Sequence, residues 1–231
     1  MRFMVEREIF KLFPELRLGI VVAANISNGG SGTEIIEIMR DVESKLRLTT
    51  PKDKLGELPL ILNWRAACKS LRIKDGRTSH EALIRRVLRG DEIPLINKLV
   101  DIYNSLSLEF ITPLGGEDLD RVKGEIRLKL ANGKEEFVQL GTSEISHPEP
   151  GEVIYYDGEK VLCRKFNWRE SELTKLTEST KNAFFVAETL PPFSEASLDD
   201  LLSKFAESLS KYCGANATTY KIDSKNTEIQ W

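Results

Sequence analysis

The middle of the chain contains two turn dipeptides, each with alternating polar and apolar residues on both sides. The first is Asn132-Gly133 within GEIRLKLANGKEEFVQLG, and the second is Asp157-Gly158 within GEVIYYDGEKVLCRKFNW. Asn-Gly and Asp-Gly favour the tight turns of β-hairpins, because the central residues of such turns take positive φ. The pattern therefore predicts two hairpins, and with them a chain whose later part is mainly sheet.

Helical periodicity dominates the N-terminal third, apart from a buried strand LGIVVAA at residues 18–24. Amphipathic helices are predicted at residues 33–48, 59–72, 78–90 and 94–110, the first with Thr33 as its N-cap. The later part adds a strand at 182–188, a helix at 198–213 and an edge strand in the tail at 218–231. These segments predict an α+β protein in which residues 1–231 form one domain.

Composition argues against several classes of protein. Hydrophobic residues make up 41% of the chain and charged residues 30%, which is ordinary for a globular protein in water. No apolar run approaches the roughly 20 residues that a membrane span needs, and the N-terminus lacks the apolar core of a signal peptide. We therefore expect a cytoplasmic protein without a membrane partner.

The cysteines and histidines give little support to metal chemistry. The three cysteines, Cys68, Cys163 and Cys213, are far apart in the sequence, and an odd number does not suit a disulfide framework. His80 and His147 are the two histidines, so a zinc site of about four N, S or O ligands is difficult to assemble. We expect no metal and no cofactor, and Cys163, in the strand pattern VLCRKF, is expected to be a structural residue.

A row of polar residues follows one side of the predicted helix PLINKLVDIYNSLSLEF at residues 94–110. Asn97, Asp101 and Asn104 have the i, i+4, i+7 spacing that places side chains on one line of a helix. Asn and Asp are poor helix formers, so a merely solvated face would suit Lys and Glu better. Two interpretations follow: these side chains bond to neighbouring loops and cap the helix, or they line a small polar pocket.

Two basic clusters are candidates for contact with nucleic acid, although the net charge is −3 and any such contact must be local. One cluster comprises Arg85, Arg86 and Arg89. The other is Arg164, Lys165 and Arg169, with Trp168 available for stacking on a base. The alternatives are that Arg85 and Arg86 pair with nearby acids such as Glu81, and that Trp168 packs within the protein.

Several of these segments, taken in order, resemble a known family. TSHEALIRRVLRG, PLINKLVDIYNSLSLEF, DLDRVKGEIRLKLANG, PGEVIYYD and LCRKFNWRES resemble free-standing versions of the editing module of phenylalanyl-tRNA synthetase, the B3/B4 region of its β subunit. The resemblance covers residues 58–190 and implies a β-sandwich-like core with flanking helices. Residues 1–55 do not contribute to it, and we expect them to be an extension packed on the same body.

The resemblance implies a function as well as a fold. In the synthetase the module hydrolyses the ester of mischarged tRNA, so relatives are expected to act in trans on misacylated tRNA, or to bind tRNA. The implied partner is an aminoacylated tRNA, and the oligomeric state is left open. The resemblance implies two catalytic residues, Asn104, which carries over from the synthetase helix, and Glu188. Asn97 and Asp101, which share the polar row with Asn104, are further catalytic candidates from the residue pattern.

The chain also departs from the synthetase pattern. Gly115 stands where the synthetase carries a histidine, and the region of Arg164 and Lys165 replaces a glycine pair that admits the amino-acid side chain. We expect Gly115, Gly116, Arg164 and Asn167 to contact the substrate. These departures keep alternatives open: a non-catalytic module that binds tRNA or an amino acid, and a hydrolase of small esters with no RNA partner.

Overall fold

The structure, a computed structural model, describes residues 1–71 and 78–231. Within these residues the helices are α1 (Arg7–Leu12), α2 (Thr33–Thr49), α3 (Pro59–Ser70), α4 (Ser79–Leu88), α5 (Lys98–Phe110) and α6 (Glu195–Cys213). The strands are β1 (Arg2–Val5), β2 (Arg17–Ala24), β3 (Leu114–Asp118), β4 (Ile126–Leu130), β5 (Phe137–Val138), β6 (Ile145–Ser146), β7 (Val153–Tyr156), β8 (Val161–Arg164), β9 (Arg169–Glu170), β10 (Ala183–Thr189), β11 (Asn216–Ile222) and β12 (Glu228–Gln230). None of the described helices is long and apolar enough to cross a membrane.

Two sheets pack face to face. One has the strand order β12-β1-β4-β7-β8-β9 and the other β11-β2-β10-β3, while β5 and β6 form a separate pair. The core between the sheets includes Phe3, Leu18, Leu128 and Phe184. Helices α5 and α6 cover the outer face of the four-stranded sheet, where Phe185 contacts Phe205. The predicted α+β class, with a sandwich-like core and flanking helices, is confirmed.

Strand β10 shows how sequence alternation sets up these layers. Successive side chains of a strand point to opposite faces, so residues with even numbers on β10 face one layer and those with odd numbers face the other. Phe184 belongs to the core between the sheets, whereas Phe185 and Ala187 pack against the helices. By the same alternation, Glu188 points between the two sheets, where Tyr155 of β7 bonds to it.

The N-terminal segment supplies interior strands to both sheets. Strand β1 pairs with β12 on one side and, in parallel, with β4 on the other, and β2 lies between β10 and β11. Residues 18–23 of β2 are all buried, because this strand is covered on both faces. Residues 1–55 thus contribute one strand to each of the two sheets, and their helices α1 and α2 belong to the same body.

The ends of the described chain meet at one edge of the six-stranded sheet. Met1 and Trp231 exchange backbone hydrogen bonds next to the β1–β12 pair. The Trp231 ring stacks on Phe184, with 5.8 Å between ring centroids. The predicted edge strand of the tail is present twice, as β11 and β12, one at the edge of each sheet.

One of the two predicted hairpins is correct. Strands β7 and β8 pair across Asp157-Gly158, and Gly158 has a φ of 96°. Asn132-Gly133 also forms a turn, with Glu135 accepting both backbone N–H groups, but its flanking strands do not pair. Strand β4 already has β1 and β7 on its two sides, so β5 pairs with β6 instead, and the first hairpin prediction is wrong.

The predicted helices are present with small differences at their ends. Gly32, rather than Thr33, is the N-cap of α2, and no side chain caps it. Helix α3 ends at Ser70, and Arg72, the last residue of the predicted segment, lies outside the described residues. In α4 the buried apolar side is formed by Ile84 and Val87, whereas Ala82 and Leu83 are only half-buried.

Candidate functional site

A pocket opens between the two sheets. Its enclosed cavity is small, about 20 Å³, room for about one water molecule, and the space reaches about 400 Å³ only when the open solvent at its mouth is counted. Its walls come from β3 and β10 of one sheet and from β4, β7, β8 and β9 of the other. Its apolar lining residues are Pro113, Leu114, Ile126, Leu162, Phe184 and Val186. An apolar lining with a few polar groups is the character of a small-ligand site, in which the polar groups fix the orientation of the ligand.

Three glutamates lie in this apolar surround. Glu117 comes from β3, Glu170 from β9 and Glu188 from β10, so the carboxyl groups converge from both sheets. Within the described residues, no Lys or Arg side chain approaches any of the three within 4 Å. The pocket is therefore acidic, and none of its three carboxyl groups forms an ion pair with a cation of the described residues.

Glu188 is held in place by two donors. The Tyr155 hydroxyl donates to its Oε1 at 2.5 Å, and the Asn167 side-chain amide donates to its Oε2. Glu188 is only 1% exposed. These donors favour the ionised carboxylate, but burial outweighs them and raises the pKa of Glu188 to about 8. The group is thus poised to gain or lose a proton near neutral pH.

Glu117 and Glu170 form a second acidic region. Glu117 is 6% exposed, and its Oε2 has no hydrogen-bond partner among the described residues. The Cys163 thiol lies 3.8 Å from Glu170 Oε1. Burial raises the pKa of Glu170 to about 7, and burial together with Glu170 raises the pKa of Glu117 well above its usual value. One carboxyl of this pair therefore holds a proton at neutral pH.

The two glycines of β3 have different roles. Gly115 pairs with Val186 and shares the inward face of its sheet, and a Cβ there would lie 3.0 Å from Glu170 Oε1. The missing side chain therefore leaves room beside Glu170. Gly116 lies on the opposite face, where a Cβ would collide with the Phe185 ring. The absence of a side chain at Gly116 thus leaves room for the Phe185 ring on the face that α5 and α6 cover, although the backbone of Gly116 still borders the pocket.

The loop between β8 and β9 lies beside the pocket. Lys165 and Phe166 both take positive φ, 55° and 66°, and this turn directs the Asn167 amide to Glu188. The Asn167 side-chain oxygen also accepts a hydrogen bond, at 3.4 Å, from the backbone N–H of Ser79 at the start of α4. The loop therefore links the pocket to the helical layer.

Comparisons with known proteins identify the family. The family model described as the B3/4 domain matches residues 64–214, more than half of the chain. The chain belongs to the B3/4 domain family. It is 37% identical over 92 residues to the phenylalanine–tRNA ligase β subunit of Shewanella oneidensis, and 31% identical over 77 residues to that of Mycoplasmoides gallisepticum.

These matches cover a limited part of each protein. They span 39% and 33% of this chain, and only 12% and 10% of the two β subunits. A solved N-terminal fragment of the phenylalanyl-tRNA synthetase β subunit from Pyrococcus horikoshii aligns over 95% of this chain and 53% of the fragment, at 14% identity and a TM-score of 0.48. The predicted relation to the synthetase β subunit is confirmed.

The polar row on α5 does not line the pocket of this B3/4 domain. Asn97 is the N-cap of α5, accepting from the backbone N–H of Val100 at 3.1 Å and from the Asn28 amide at 3.1 Å. Asp101 is fully buried and accepts from the backbone N–H of Ile96 (2.9 Å) and from the Ser31 hydroxyl (2.6 Å).

Asn97 and Asp101 therefore fix the NGGSG loop to α5, which corresponds to the first interpretation of the polar row. Asn104 is half-buried and is also absent from the pocket lining. None of the three side chains lines the pocket between the sheets.

The arginines of α4 are bound to groups of the protein. Arg85 and Arg65 both bind the buried Glu81, with the closest N–O distances at 2.7 Å and 2.6 Å. Arg86 donates to the backbone carbonyl of Glu92 at 2.7 Å. Arg89 approaches Asp91 at 3.5 Å. Arg85 therefore pairs with Glu81, as the alternative interpretation of this cluster stated, whereas Arg86 donates to a backbone carbonyl and does not pair with Glu81.

The second basic cluster divides into two parts. Arg164 forms a two-pronged bond with Glu152, at 2.8 and 2.9 Å, and does not line the pocket. Arg169 is exposed and lies over the Trp168 ring, 4.9 Å from its centroid. Among the described residues, no carboxylate lies within 4 Å of Lys165 or Arg169. Arg169 is thus the exposed member of this part of the cluster, and Lys165 and Trp168 are half-buried.

Four pocket residues with titratable side chains were not predicted as site residues: Glu117, Tyr155, Cys163 and Glu170. The sequence signal for Glu117 and Glu170 is weak, since acids in short strands usually face solvent and these become buried only when the sheets pair. Burial raises the pKa of the Cys163 thiol well above its usual value, as expected for a structural cysteine. The described residues contain no group of three or more potential ligands arranged to hold a metal.

Proposed function

We propose that this B3/4 domain hydrolyses, in trans, the ester bond of misacylated aminoacyl-tRNA, and that the pocket between the sheets holds the aminoacyl group. The observation that carries the proposal is the pocket itself, in which Gly115, Asn167 and Glu188 lie together. The relation to phenylalanine–tRNA ligase β subunits supports a role with tRNA. A protein that acts on aminoacyl-tRNA would work in the cytoplasm.

The chemistry needs little more than positioned polar groups. An aminoacyl ester is already activated, so a held water molecule and a base in a dry site account for its hydrolysis. Glu188 would bind the α-ammonium group by a charge-assisted bond, with Tyr155 and Asn167 keeping its carboxylate in position. Glu170, whose pKa of about 7 suits proton transfer at neutral pH, would accept the proton of the attacking water.

The surface beside the pocket suits the end of an RNA chain. Lys165 and Arg169 supply positive charge without a carboxylate partner among the described residues, and Trp168 offers a ring for stacking on a base. They belong to the same loop and strand as Asn167 and Glu170, which line the pocket. A terminal nucleotide bound here would place its ester near the acidic groups.

The test is release of amino acid from a panel of charged and mischarged tRNAs. We expect at least one mischarged tRNA to be hydrolysed, and Glu188→Gln to slow that reaction by about a hundredfold or more. Glu178→Gln, a change at an exposed carboxylate that does not line the pocket, is the matched control. A Glu188→Gln variant that folds and retains the full rate would contradict this role.

The second candidate is a module that binds aminoacyl-tRNA without cleaving it. The observation that favours it is the pocket lining, which contains no histidine among the described residues, with Gly115 at the position where the synthetase pattern has one. Release from no member of the panel, together with salt-sensitive tRNA binding, would establish the binding module. Hydrolysis of free amino-acid esters with no effect of tRNA would point to a small-ester hydrolase.

A further inference from the structure

The Glu170 side chain reaches across the pocket to the strand that carries Glu117. Gly115 and Glu117 are successive inward positions of β3, because they pair with Val186 and Phe184 of β10. A Cβ at Gly115 would lie 3.0 Å from Glu170 Oε1, although Glu170 belongs to β9 of the other sheet. The carboxyl groups of Glu117 and Glu170 form a hydrogen bond with each other. This bond joins the edge strands of the two sheets.

A hydrogen bond between two carboxyl groups requires a proton on one of them. An ionised carboxylate has only acceptor oxygens, and two adjacent carboxylates in an apolar site repel each other. Within the described residues, neither Glu117 nor Glu170 forms an ion pair with a Lys or Arg side chain. The pair therefore carries one proton and one negative charge.

The surroundings of the two carboxyl groups favour the proton on Glu117. Glu117 is 6% exposed, and its Oε2 receives no hydrogen bond from the described residues, so its ionised form lacks both water and donors. Glu170 is half-buried, and the Cys163 thiol, 3.8 Å from its Oε1, is a weak donor to it. A proton on Glu117 turns an unsatisfied acceptor into a donor and leaves the charge on the better solvated group.

We propose that Glu117 is a positioning residue for Glu170: it holds the proton of the pair and donates it in a hydrogen bond to one carboxylate oxygen of Glu170. The other oxygen is thereby kept ionised and held in place for the attacking water. This inference rests on the proposed function, in which Glu170 is the base. The enclosed cavity that both residues line has room for about one water molecule.

Glu117 keeps its proton throughout the proposed reaction. As the water oxygen bonds to the carbonyl carbon of the ester, the proton of the water passes to Glu170. When the bond between that carbon and the ribose oxygen breaks, the same proton passes from Glu170 to the ribose oxygen. Glu117 therefore acts through Glu170 and needs no contact with the substrate.

Other titratable groups face the pair from the neighbouring elements. Burial raises the pKa values of Tyr103, Tyr155 and Cys163 above their usual range, so these groups stay neutral at neutral pH. Glu188 and Lys160 act on the pair at longer range. All five are unchanged in variants of Glu117, so a difference between such variants reports Glu117 itself.

Two replacements of Glu117 separate hydrogen-bond donation from packing. Glu117→Gln keeps an N–H donor for Glu170, whereas Glu117→Leu occupies a similar volume without a donor. With a mischarged tRNA that the protein cleaves, we expect Glu117→Gln to keep kcat within about threefold and Glu117→Leu to lower it by about tenfold or more. KM should be unchanged in both variants.

The pH profile of kcat supplies a readout that a merely structural role would not move. Its acid limb reports the ionisation of Glu170, which the donated hydrogen bond favours. Glu117→Leu should move this limb upward by about one pH unit, and Glu117→Gln should leave it within about 0.3. An unmoved limb in a folded Glu117→Leu variant would overturn the inference.

Carbon-13 NMR of the full chain, labelled at the glutamate carboxyl carbons, locates the proton without any need for activity. Resonances that are absent from Glu117→Gln and from Glu170→Gln identify the two groups. We expect the Glu117 carboxyl to be protonated at neutral pH and the Glu170 carboxyl to titrate there. An ionised Glu117 at neutral pH would overturn the inference, even if Glu117→Leu fails to fold.

The two measurements separate this inference from the proposed function. Release of amino acid from tRNA by a protein with an ionised Glu117 would overturn the inference and leave the deacylase proposal standing. A protonated Glu117 with no release from any charged tRNA would overturn the deacylase proposal and leave the assignment of the proton standing. A protonated Glu117 together with the shifted acid limb supports both.

Discussion

At the scale of single residues, Glu188 combines burial with two fixed donors. Tyr155 and Asn167 hold both of its carboxylate oxygens, and the surrounding apolar walls remove water from it. Desolvation opposes the ionised form more strongly than the donors favour it, so the carboxyl keeps its proton up to a pKa of about 8. An ammonium group entering the pocket would reverse this balance and release the proton.

This raised pKa predicts a pH dependence of stability. In the unfolded chain the pKa of a glutamate is about 4.3, so between pH 4.3 and about 8 only the folded protein keeps this proton. The associated stabilisation is fully present below pH 4.3 and is lost as the pH rises through 8. Glu188→Gln should therefore flatten the decline in free energy of unfolding by about 1.4 kcal/mol per pH unit within this window.

Urea unfolding between about pH 5 and pH 8 measures this slope. Tyr155 and Glu170, the titratable groups that face Glu188 from β7 and β9, are present in both proteins, so the difference in slope reports Glu188 itself. Glu178→Gln, at an exposed position, should leave the slope as it is. A Glu188→Gln variant with the slope of the original protein would show that Glu188 is ionised in the folded state.

At the scale of elements, the start of α5 depends on the cap at Asn97. Its side-chain oxygen accepts from the backbone N–H of Val100 and from Asn28, so truncation removes the cap and one loop contact. We expect Asn97→Ala to lower the free energy of unfolding by about 1–2 kcal/mol, with deacylation by the folded protein unchanged. Chemical denaturation and the charged-tRNA assay together check this.

Asn97→Asp is the matched control, because aspartate is an equally good N-cap and keeps an acceptor for the N–H of Val100. Its stability should be closer to that of the original protein than that of Asn97→Ala, because the cap is kept and only the long donation from the Asn97 amide to the Leu176 carbonyl is lost. The opposite pattern, unchanged stability with a large loss of rate in Asn97→Ala, would return Asn97 to the catalytic role predicted from the polar row.

The sequence predicts local elements better than their pairing. The Asp157-Gly158 hairpin is closed by adjacent strands, so its turn residues suffice to predict it. Asn132-Gly133 carries an equally strong signal, yet β4 pairs with β1 and β7, one of them more than a hundred residues earlier. Turn residues predict that the chain reverses direction over a few residues, but they do not predict which distant strands will pair.

The same limit applies to the pocket. Glu188 and Asn167 were predicted from the resemblance to the synthetase module, because both lie in segments that carry it. Glu117 and Glu170 were not predicted, since each lies in a short strand and becomes a pocket group only when β3 and β9 face each other across the sandwich. Long-range packing of this kind leaves no periodic signature in one sequence.

At the scale of the whole molecule, a net charge of −3 confines RNA binding to a local surface. Lys165 and Arg169 are the cations beside the pocket, whereas the arginines of α4 are engaged by Glu81, Asp91 and a backbone carbonyl. We expect replacement of both Lys165 and Arg169 by Gln to reduce the slope of log affinity for tRNA against log salt by about 1.4.

Filter binding or fluorescence anisotropy over a range of salt concentrations measures that slope. The matched control replaces Arg86 and Arg89 by Gln, removing the same charge from α4, and should change the slope by less than about 0.5. A larger effect in the control than in the Lys165 and Arg169 variant would show that tRNA lies along α4, as the first basic cluster suggested.

Met1 and Trp231 meet through backbone hydrogen bonds beside β1 and β12. Because residues 1 and 231 lie close together, the fold can be inserted into a surface loop of another protein without moving the two ends of that loop apart. The same proximity would let a short peptide bridge join the two ends and permit new termini to be opened elsewhere. The pairing of β1 with β12 in the six-stranded sheet therefore makes the fold compatible with domain insertion and with circular permutation.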